Sequence, residues 1–214
     1  PANIRAFGIN LIDTNEGNPV FGSNLVVHAG YARLQWEIND RLSLDTGVRF
    51  ESGSQNVNAI QVFTVPSASL ARTALSRDYF LPGITLTFKL NPEIQFRISG
   101  SKTIARPQFR ELIFQNYFDP DDNRQYRGNP FLVDTQLYNA EARFEWYFAR
   151  DQRLSVAGFY KRIDNPIETF ASFSDNTVTT SFANAPTATL YGAEIETQKY
   201  FALDRLFGES KFFA

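Results

Sequence analysis

The sequence predicts an all-β fold, an antiparallel up-and-down segment of a transmembrane β-barrel with about eight strands. Three observations predict it. Successive runs alternate apolar and polar residues with period two, the connections between runs are short and long by turns, and the polar face is ionic where the apolar face carries no charge.

Taken in chain order, a weak strand signal covers Ile4 to Ile12. From Gly30 the even positions Ala32, Leu34, Trp36 and Ile38 oppose Tyr31, Arg33, Gln35 and Glu37. After Asn39 and Asp40 the alternation resumes, with Leu42, Leu44, Val48 and Phe50 against Arg41, Asp45, Arg49 and Glu51, so the two runs predict a hairpin. Ile84, Leu86, Phe88 and Leu90 lead into Asn91 and Pro92, and Ile94, Phe96 and Ile98 return, with Thr85, Thr87, Lys89, Gln95 and Arg97 opposite. A third pair sets Tyr138, Ala140, Ala142, Phe144, Trp146 and Phe148 against Leu154, Val156, Gly158 and Tyr160, turning at Ala149 to Gln152. Tyr191, Ala193, Ile195 and Thr197 alternate with Glu194 and Glu196, and a weaker signal occupies the last residues. Pro107 to Gln115 is the one stretch that predicts a turn of helix.

A soluble sandwich shares period two, so the membrane reading rests on the other features. The turns after Ile38, Leu90 and Phe148 are tight, whereas Asp13 to Asn24, Ser52 to Arg77 and Ala105 to Leu132 are long, as in barrels with short turns on one rim. Trp36, Phe88, Trp146 and Phe148, with Tyr147, Tyr200 and Phe201, gather beside the short turns and predict a membrane girdle. Arg33, Arg49, Glu51, Arg97, Glu141, Arg143, Glu145, Glu194 and Glu196 fall on the polar face and predict a hydrated lumen facing a plug. An Arg or Lys on the opposite face would cost roughly 2–4 kcal/mol at the bilayer midplane.

Composition narrows the function classes. A net charge of −2 gives no footprint for nucleic acid, and none is expected as a partner. With no cysteine and His28 as the single histidine, a thiol nucleophile, a catalytic triad and a histidine-rich metal site have nothing to build on, so the chain reads as a non-enzyme without cofactor or metal. Phe contributes 21 residues while Gly and Pro add 12 and 10, a mixture that suits many short strands. The chain opens on Pro1 and holds no methionine, which predicts a processed or excised piece.

Two stretches carry a likeness to a known family. Ala105-Arg106-Pro107-Gln108-Phe109-Arg110-Glu111-Leu112, followed by Arg127-Gly128-Asn129-Pro130, resembles the barrel of TonB-dependent receptors. So do Phe144 to Phe148, Leu154 to Ile167 and Tyr191-Gly192-Ala193-Glu194-Ile195-Glu196. The family's usual Leu-Lys-Pro-like segment after Gly-Asn-Pro is here Phe131-Leu132-Val133-Asp134, which bears on the ligand class more than on the fold. The resemblance implies a larger barrel of about 22 strands around a plug. Residues 1–214 are then part of the barrel domain, with the plug, the TonB-contacting segment and the closing strand outside it. It further implies active uptake of a scarce nutrient (siderophore, cobalamin, saccharide or peptide) across the bacterial outer membrane. Partners are then outer-membrane lipid, the plug, a TonB-type energy-transducing complex and the nutrient itself.

Ligand contacts are expected from Phe118 to Arg127, where Asp121, Asp122, Arg124, Tyr126 and Arg127 mix donors, acceptors and a ring; a solvated loop reads equally well. Asp119, Asp121, Asp122 and Asn123 lack the glycine and distal glutamate of a calcium loop. Glu194 and Glu196 have a spacing open to a glycosidase reading but fit better as ion-pair partners in a charged lumen. A passive porin, with the same alternation but no plug, and a soluble antiparallel β-sheet binding protein are the competing readings.

Overall fold

The computed structural model describes residues 20–60, 72–119, 121, 124–174, 177–202 and 211–213. The predicted strand at Ile4 to Ile12 lies outside them. The elements in chain order are β1 (Val20–Asn39), β2 (Leu42–Ile60), β3 (Arg72–Lys89), β4 (Ile94–Ala105), α1 (Phe109–Leu112), β5 (Asn116–Asp119), β6 (Arg124–Arg127), β7 (Thr135–Ala149), β8 (Gln152–Asp164), β9 (Ile167–Ser174), β10 (Thr177–Asn184), β11 (Thr187–Gln198), β12 (Tyr200–Ala202) and β13 (Lys211–Phe213).

Seven strands form one antiparallel meander in the order β1-β2-β3-β4-β7-β8-β11. Among the described residues it is an open wall with β1 and β11 at its edges and not a closed barrel, in keeping with the segment of about eight strands expected, one of which falls outside those residues. The tight turns are built by side chains. Asn39 Oδ1 accepts from the backbone N–H of Arg41 and Leu42 at 2.9 Å each, and Asn91 Oδ1 accepts from Glu93 and Ile94 at 2.9 and 2.7 Å, so each asparagine closes its turn. Asp151 closes the β7–β8 turn with φ 57°, and a bulge between Trp146 and Ala149 adds local twist.

Cross-strand register decides which side chains share a face, because directly paired residues point the same way. One row reads Leu42–Phe88–Phe96–Phe144–Val156–Ile195, with Phe96 and Phe144 rings 5.3 Å apart. No second layer covers these rows among the described residues. Ile98 and Ile195 stand 60% and 76% exposed, which in water would leave a large unpartnered apolar surface and in a bilayer leaves none.

The long connections are shorter than the sequence predicts, since Ser52 to Ile60 continue β2 and Arg72 to Arg77 belong to β3. Both strands reach well past the roughly 9–11 residues that cross a bilayer. The boundary is chemical. The outward residues of β2 are Leu42, Leu44, Thr46, Val48 and Phe50, then Ser52, Ser54, Asn56 and Asn58. Phe50 meets Phe80 of β3 at 5.0 Å between ring centroids, closing the apolar belt on its long-loop side.

Candidate functional site

Beyond the belt the inner face of β2 and β3 changes character, with Glu51, Gly53, Gln55, Val57 and Thr73 all buried. What buries them is the connection Arg106 to Asp134, together with the β9–β10 hairpin, which fold back as a small unit on this face. Its second sheet runs β5-β6-β10-β9, with β6 and β10 parallel. Its core is Val57, Leu112, Ile113, Leu132 and Phe182, Leu132 having no exposed surface. A connection that would otherwise be solvated has its own apolar anchor, which makes it a shaped surface.

The two motif stretches supply the seams. Arg106 Nη1 meets Glu51 Oε1 at 2.6 Å while Arg49 Nε takes the other oxygen at 3.0 Å, so one carboxylate of the wall holds a strand cation and a loop cation. A Cβ at Gly53 would stand 2.6 Å from Arg106 Nη2, so the missing side chain makes room for the guanidinium. The Gln55 amide donates to the Pro107 carbonyl at 2.8 Å, and the Gln108 backbone N–H donates to Glu111 Oε2 at 2.9 Å, starting α1. At Gly128 a Cβ would lie 2.3 Å from the Ile113 carbonyl oxygen and 2.6 Å from its nitrogen; only glycine admits that approach. Asn129 then ties three segments together. Its N–H donates to the Glu111 carbonyl at 2.6 Å, its side-chain amide to the Phe182 carbonyl at 2.9 Å, and its Oδ1 accepts from Phe131 N–H at 3.0 Å. Tyr79 of β3 donates to Asp134 Oδ2 at 2.8 Å, closing the far end.

Of the residues expected to touch ligand, Asp121 and Arg124 are exposed at the β5–β6 tip and Asp122 lies outside the described residues. Tyr126 is half-buried, stacked between Tyr117 at 5.7 Å and Phe182 at 6.0 Å, and packs on the unit's core. Arg127, its neighbour, projects from the opposite side of β6 and lies over the Phe114 ring at 3.9 Å. The four described residues therefore do not converge on one point. Burial pushes the Tyr117 phenol above its usual range, with Arg110 pulling the other way. Among the described residues no group of three acidic or histidine side chains is disposed to hold a metal.

Below this unit the inner face is a lattice of charge. Arg33 and Asp45 bridge β1 to β2, Arg33 Nε donating to Asp45 Oδ1 at 2.8 Å. Arg97 stands directly opposite Arg143, a repulsive placement that neighbouring carboxylates relieve. Arg97 reaches Glu145 at 3.5 Å and Arg143 reaches Glu141 at 3.0 Å. Glu145, 4% exposed, also accepts from the Gln95 amide at 2.6 Å. Arg153 bridges β8 to Glu196 of β11 at 2.7 Å, and Glu194 shares that face opposite Ala157. On the other face Trp36, Phe88 and Trp146 point outward near the tight turns, and Phe148 packs on Trp146 at 5.4 Å.

The described residues thus form an open antiparallel wall with an uncharged outer belt, an ionic inner face and an inward-folded connection. The family model described as TonB dependent receptor-like, beta-barrel, matches residues 3–210. The chain belongs to that family. TonB-dependent receptors reside in the outer membrane, the setting in which the bare apolar belt is satisfied. No curated protein sequence matches the chain. Among solved structures it is similar to a double mutant of the Serratia marcescens hemophore receptor HasR in complex with its hemophore HasA and heme. The TM-score there is 0.62 at 16% identity, over 82% of this chain and 32% of that one. It is also similar to the ferric-catecholate import receptor Fiu from E. coli K12, with TM-score 0.57 and 17% identity over 83% and 26% of the two chains. A third is the siderophore receptor PirA from Pseudomonas aeruginosa, with TM-score 0.52 and 11% identity over 83% and 40%. At such identities the likeness is one of fold. The chain spans about a third of the length of these receptors.

Sequence reasoning singled out the charged strand positions but missed Arg106, Gln55, Tyr79 and Asp134 as the residues that seat the inward-folded unit. Arg106 was within reach as the cation of a recurrent motif; the other three lie in stretches with no pattern of their own.

Proposed function

We propose that this chain is part of the barrel of an outer-membrane receptor that imports a scarce nutrient by TonB-dependent active transport, and that it performs no covalent chemistry. The observation that carries the reading is the joint one: a family match along nearly the whole chain, on a wall whose outer face is apolar and whose inner face is ionic. A plug, a segment that contacts TonB and the strand that closes the barrel belong to the remainder of the protein. Arg33, Arg49, Glu51, Arg97, Glu141, Arg143, Glu145, Glu194 and Glu196 face that plug. Mixed charge suits such a contact, since a wet polar interface remodels without exposing an apolar core.

The ligand docks on the surface made by the inward-folded unit, with Asp121, Asp122, Arg124 and Arg127 as contacts and Tyr126 holding the surface from behind. Iron-bearing ligands are the class to test first, because the similar structures include a hemophore receptor in complex with heme, a ferric-catecholate import receptor and a siderophore receptor. A strain lacking the receptor is grown with iron supplied as heme or as ferric siderophores, and separately with growth-limiting cobalamin, oligosaccharide or peptide. The expected result is loss of growth on one class, restored by the intact gene only when TonB is present. Undiminished growth on every source, or restoration without TonB, overturns the reading.

A further inference from the structure

The outward face of the main sheet is not uniform at its long-loop edge. Among the described residues, its strands carry charge there only at Arg72, Asp78, Lys102, Arg162 and Asp164, all on the long-loop side of the belt. Lys102, Tyr138 and Arg162 form a single cross-strand row on β4, β7 and β8, continued by Thr189 of β11. Counted from the tight turns, Lys102 stands ten residues beyond Pro92 and Arg162 eleven beyond Asp151, just as Phe50, at the belt's upper aromatic pair, stands ten beyond Asp40. Ten residues of strand rise about 33 Å along the chain and, at a tilt near 40°, about 25 Å along the membrane normal, the height of the apolar band. The row therefore lies at headgroup level.

Its chemistry is that of an anion clamp. Lys102 Nζ lies 5.4 Å from the centre of the Tyr138 ring, and the Arg162 side chain remains 59% exposed although its Nε donates to Asp164 at 2.9 Å. Asp164 holds the guanidinium in one orientation. The two cations lie two strand spacings apart, about 10 Å, with an aromatic face between them. Beside them Tyr138, Tyr160, Arg162 and Asp164 line a cleft of about 510 Å³. This is the outside of the wall, so neither a plug nor the rest of a barrel can cover it.

We infer that this row is a binding site for the phosphate-bearing headgroup of an anionic lipid in the leaflet on the long-loop side, with Lys102 and Arg162 on the phosphate oxygens and Tyr138 and Tyr160 against the upper acyl chain. Opposite charge, matching height and an amphipathic cleft select a lipid over a free anion: the aromatic rings have no role in holding phosphate alone.

The test uses the intact receptor purified in neutral detergent. Retained lipid is read by native mass spectrometry after titration with a phosphate-monoester lipid, and in parallel with a phosphatidylcholine of the same chains. Wild type binds the phosphate-monoester lipid in preference, and Lys102→Gln with Arg162→Gln lowers that occupancy at least fivefold while phosphatidylcholine binding is unchanged. Thr189→Arg, which adds a cation to the same row, raises it, and this arm stands even if the double variant fails to assemble. Equal loss of both lipids in the double variant, unchanged occupancy in it, or no gain in Thr189→Arg overturns the assignment. So does a lipid-free dimer that the double substitution disrupts, which would make the row a protein contact.

Discussion

At Gly128 the missing side chain decides the fold of everything around it. The backbone of Ile113 fills the space a Cβ would take, and neither its carbonyl nor its amide can yield without unseating Leu112 and the Asn129 bonds. Gly128→Ala should therefore destabilise the inward-folded unit by about 1–3 kcal/mol, the overpacking range. Limited proteolysis of the intact receptor checks this: cleavage between Arg106 and Asp134 should quicken while the wall stays resistant, and an unchanged rate would contradict it. Arg106 acts by charge. Removing it leaves Glu51, largely buried, with Arg49 alone. Arg106→Leu should cost about 1–3 kcal/mol of local stability, the price of an underpaired buried polar group. Amide exchange in residues 106–115 should quicken in Arg106→Leu and recover in part with Arg106→Lys, which keeps the charge but not the planar guanidinium that lies against Gly53 and meets one oxygen of Glu51.

At the scale of elements, the inward-folded unit and the wall are held by different forces. The wall is a ladder of backbone bonds with little core, while the unit has a buried apolar cluster around Leu112 and Leu132. Leu132→Ala should cost about 2–5 kcal/mol, as large-to-small changes at sealed sites do, and the loss should fall on the unit. Ligand binding should weaken while the heat-resistant mobility of the folded barrel on a gel is retained; loss of both together would mean that the wall depends on the unit. This division also explains what the sequence disclosed. Strands such as Ile84 to Lys89 and Ile94 to Arg97 alternate a charged, amide or hydroxyl-bearing side chain with an apolar one, because one face meets water and the other does not. The β9–β10 hairpin shows no such signal. Ile167, Thr169, Ala171 and Phe173 share one face and Glu168, Phe170 and Ser172 the other, so apolar residues occur on both. The upper part of β2, Ser52 to Asn56, is small and polar with low strand propensity. Pairing with β3 and the packing of Arg106 and Pro107 on its inner face make it a strand, and those contacts come from residues far along the chain. The candidate ligand residues were legible as a polar loop, but the opposed projections of Tyr126 and Arg127 were not, since they depend on where β6 joins β10.

For the whole molecule the deciding property is that its two faces belong to different solvents. Ile98 and Ser99 are neighbours on β4, and they point to opposite sides of one wall. Ile98 is near the middle of the belt, between Leu86 and Ala142, while Ser99 stands between Thr85 and Glu141 on the ionic face. An arginine at residue 98 would place a cation in hydrocarbon about half-way between the tight turns and the Phe50–Phe80 rim. There the cost is roughly 2–4 kcal/mol, which snorkelling towards either headgroup layer relieves only in part. The same arginine at residue 99 would enter a hydrated face beside a carboxylate and cost little. Folding of the intact receptor into lipid vesicles, followed by denaturant titration, separates the two. Ile98→Arg should lower the unfolding free energy by that amount, and Ser99→Arg should leave it within about 0.5 kcal/mol of wild type, as surface changes do. A soluble sandwich would give a different pair of results, because an apolar row packed in a protein core would make Ile98→Arg fail to fold in buffer as well as in vesicles. If instead Ser99→Arg were the damaging change, the faces would be reversed, and with them the placing of plug and lipid on either side of the wall.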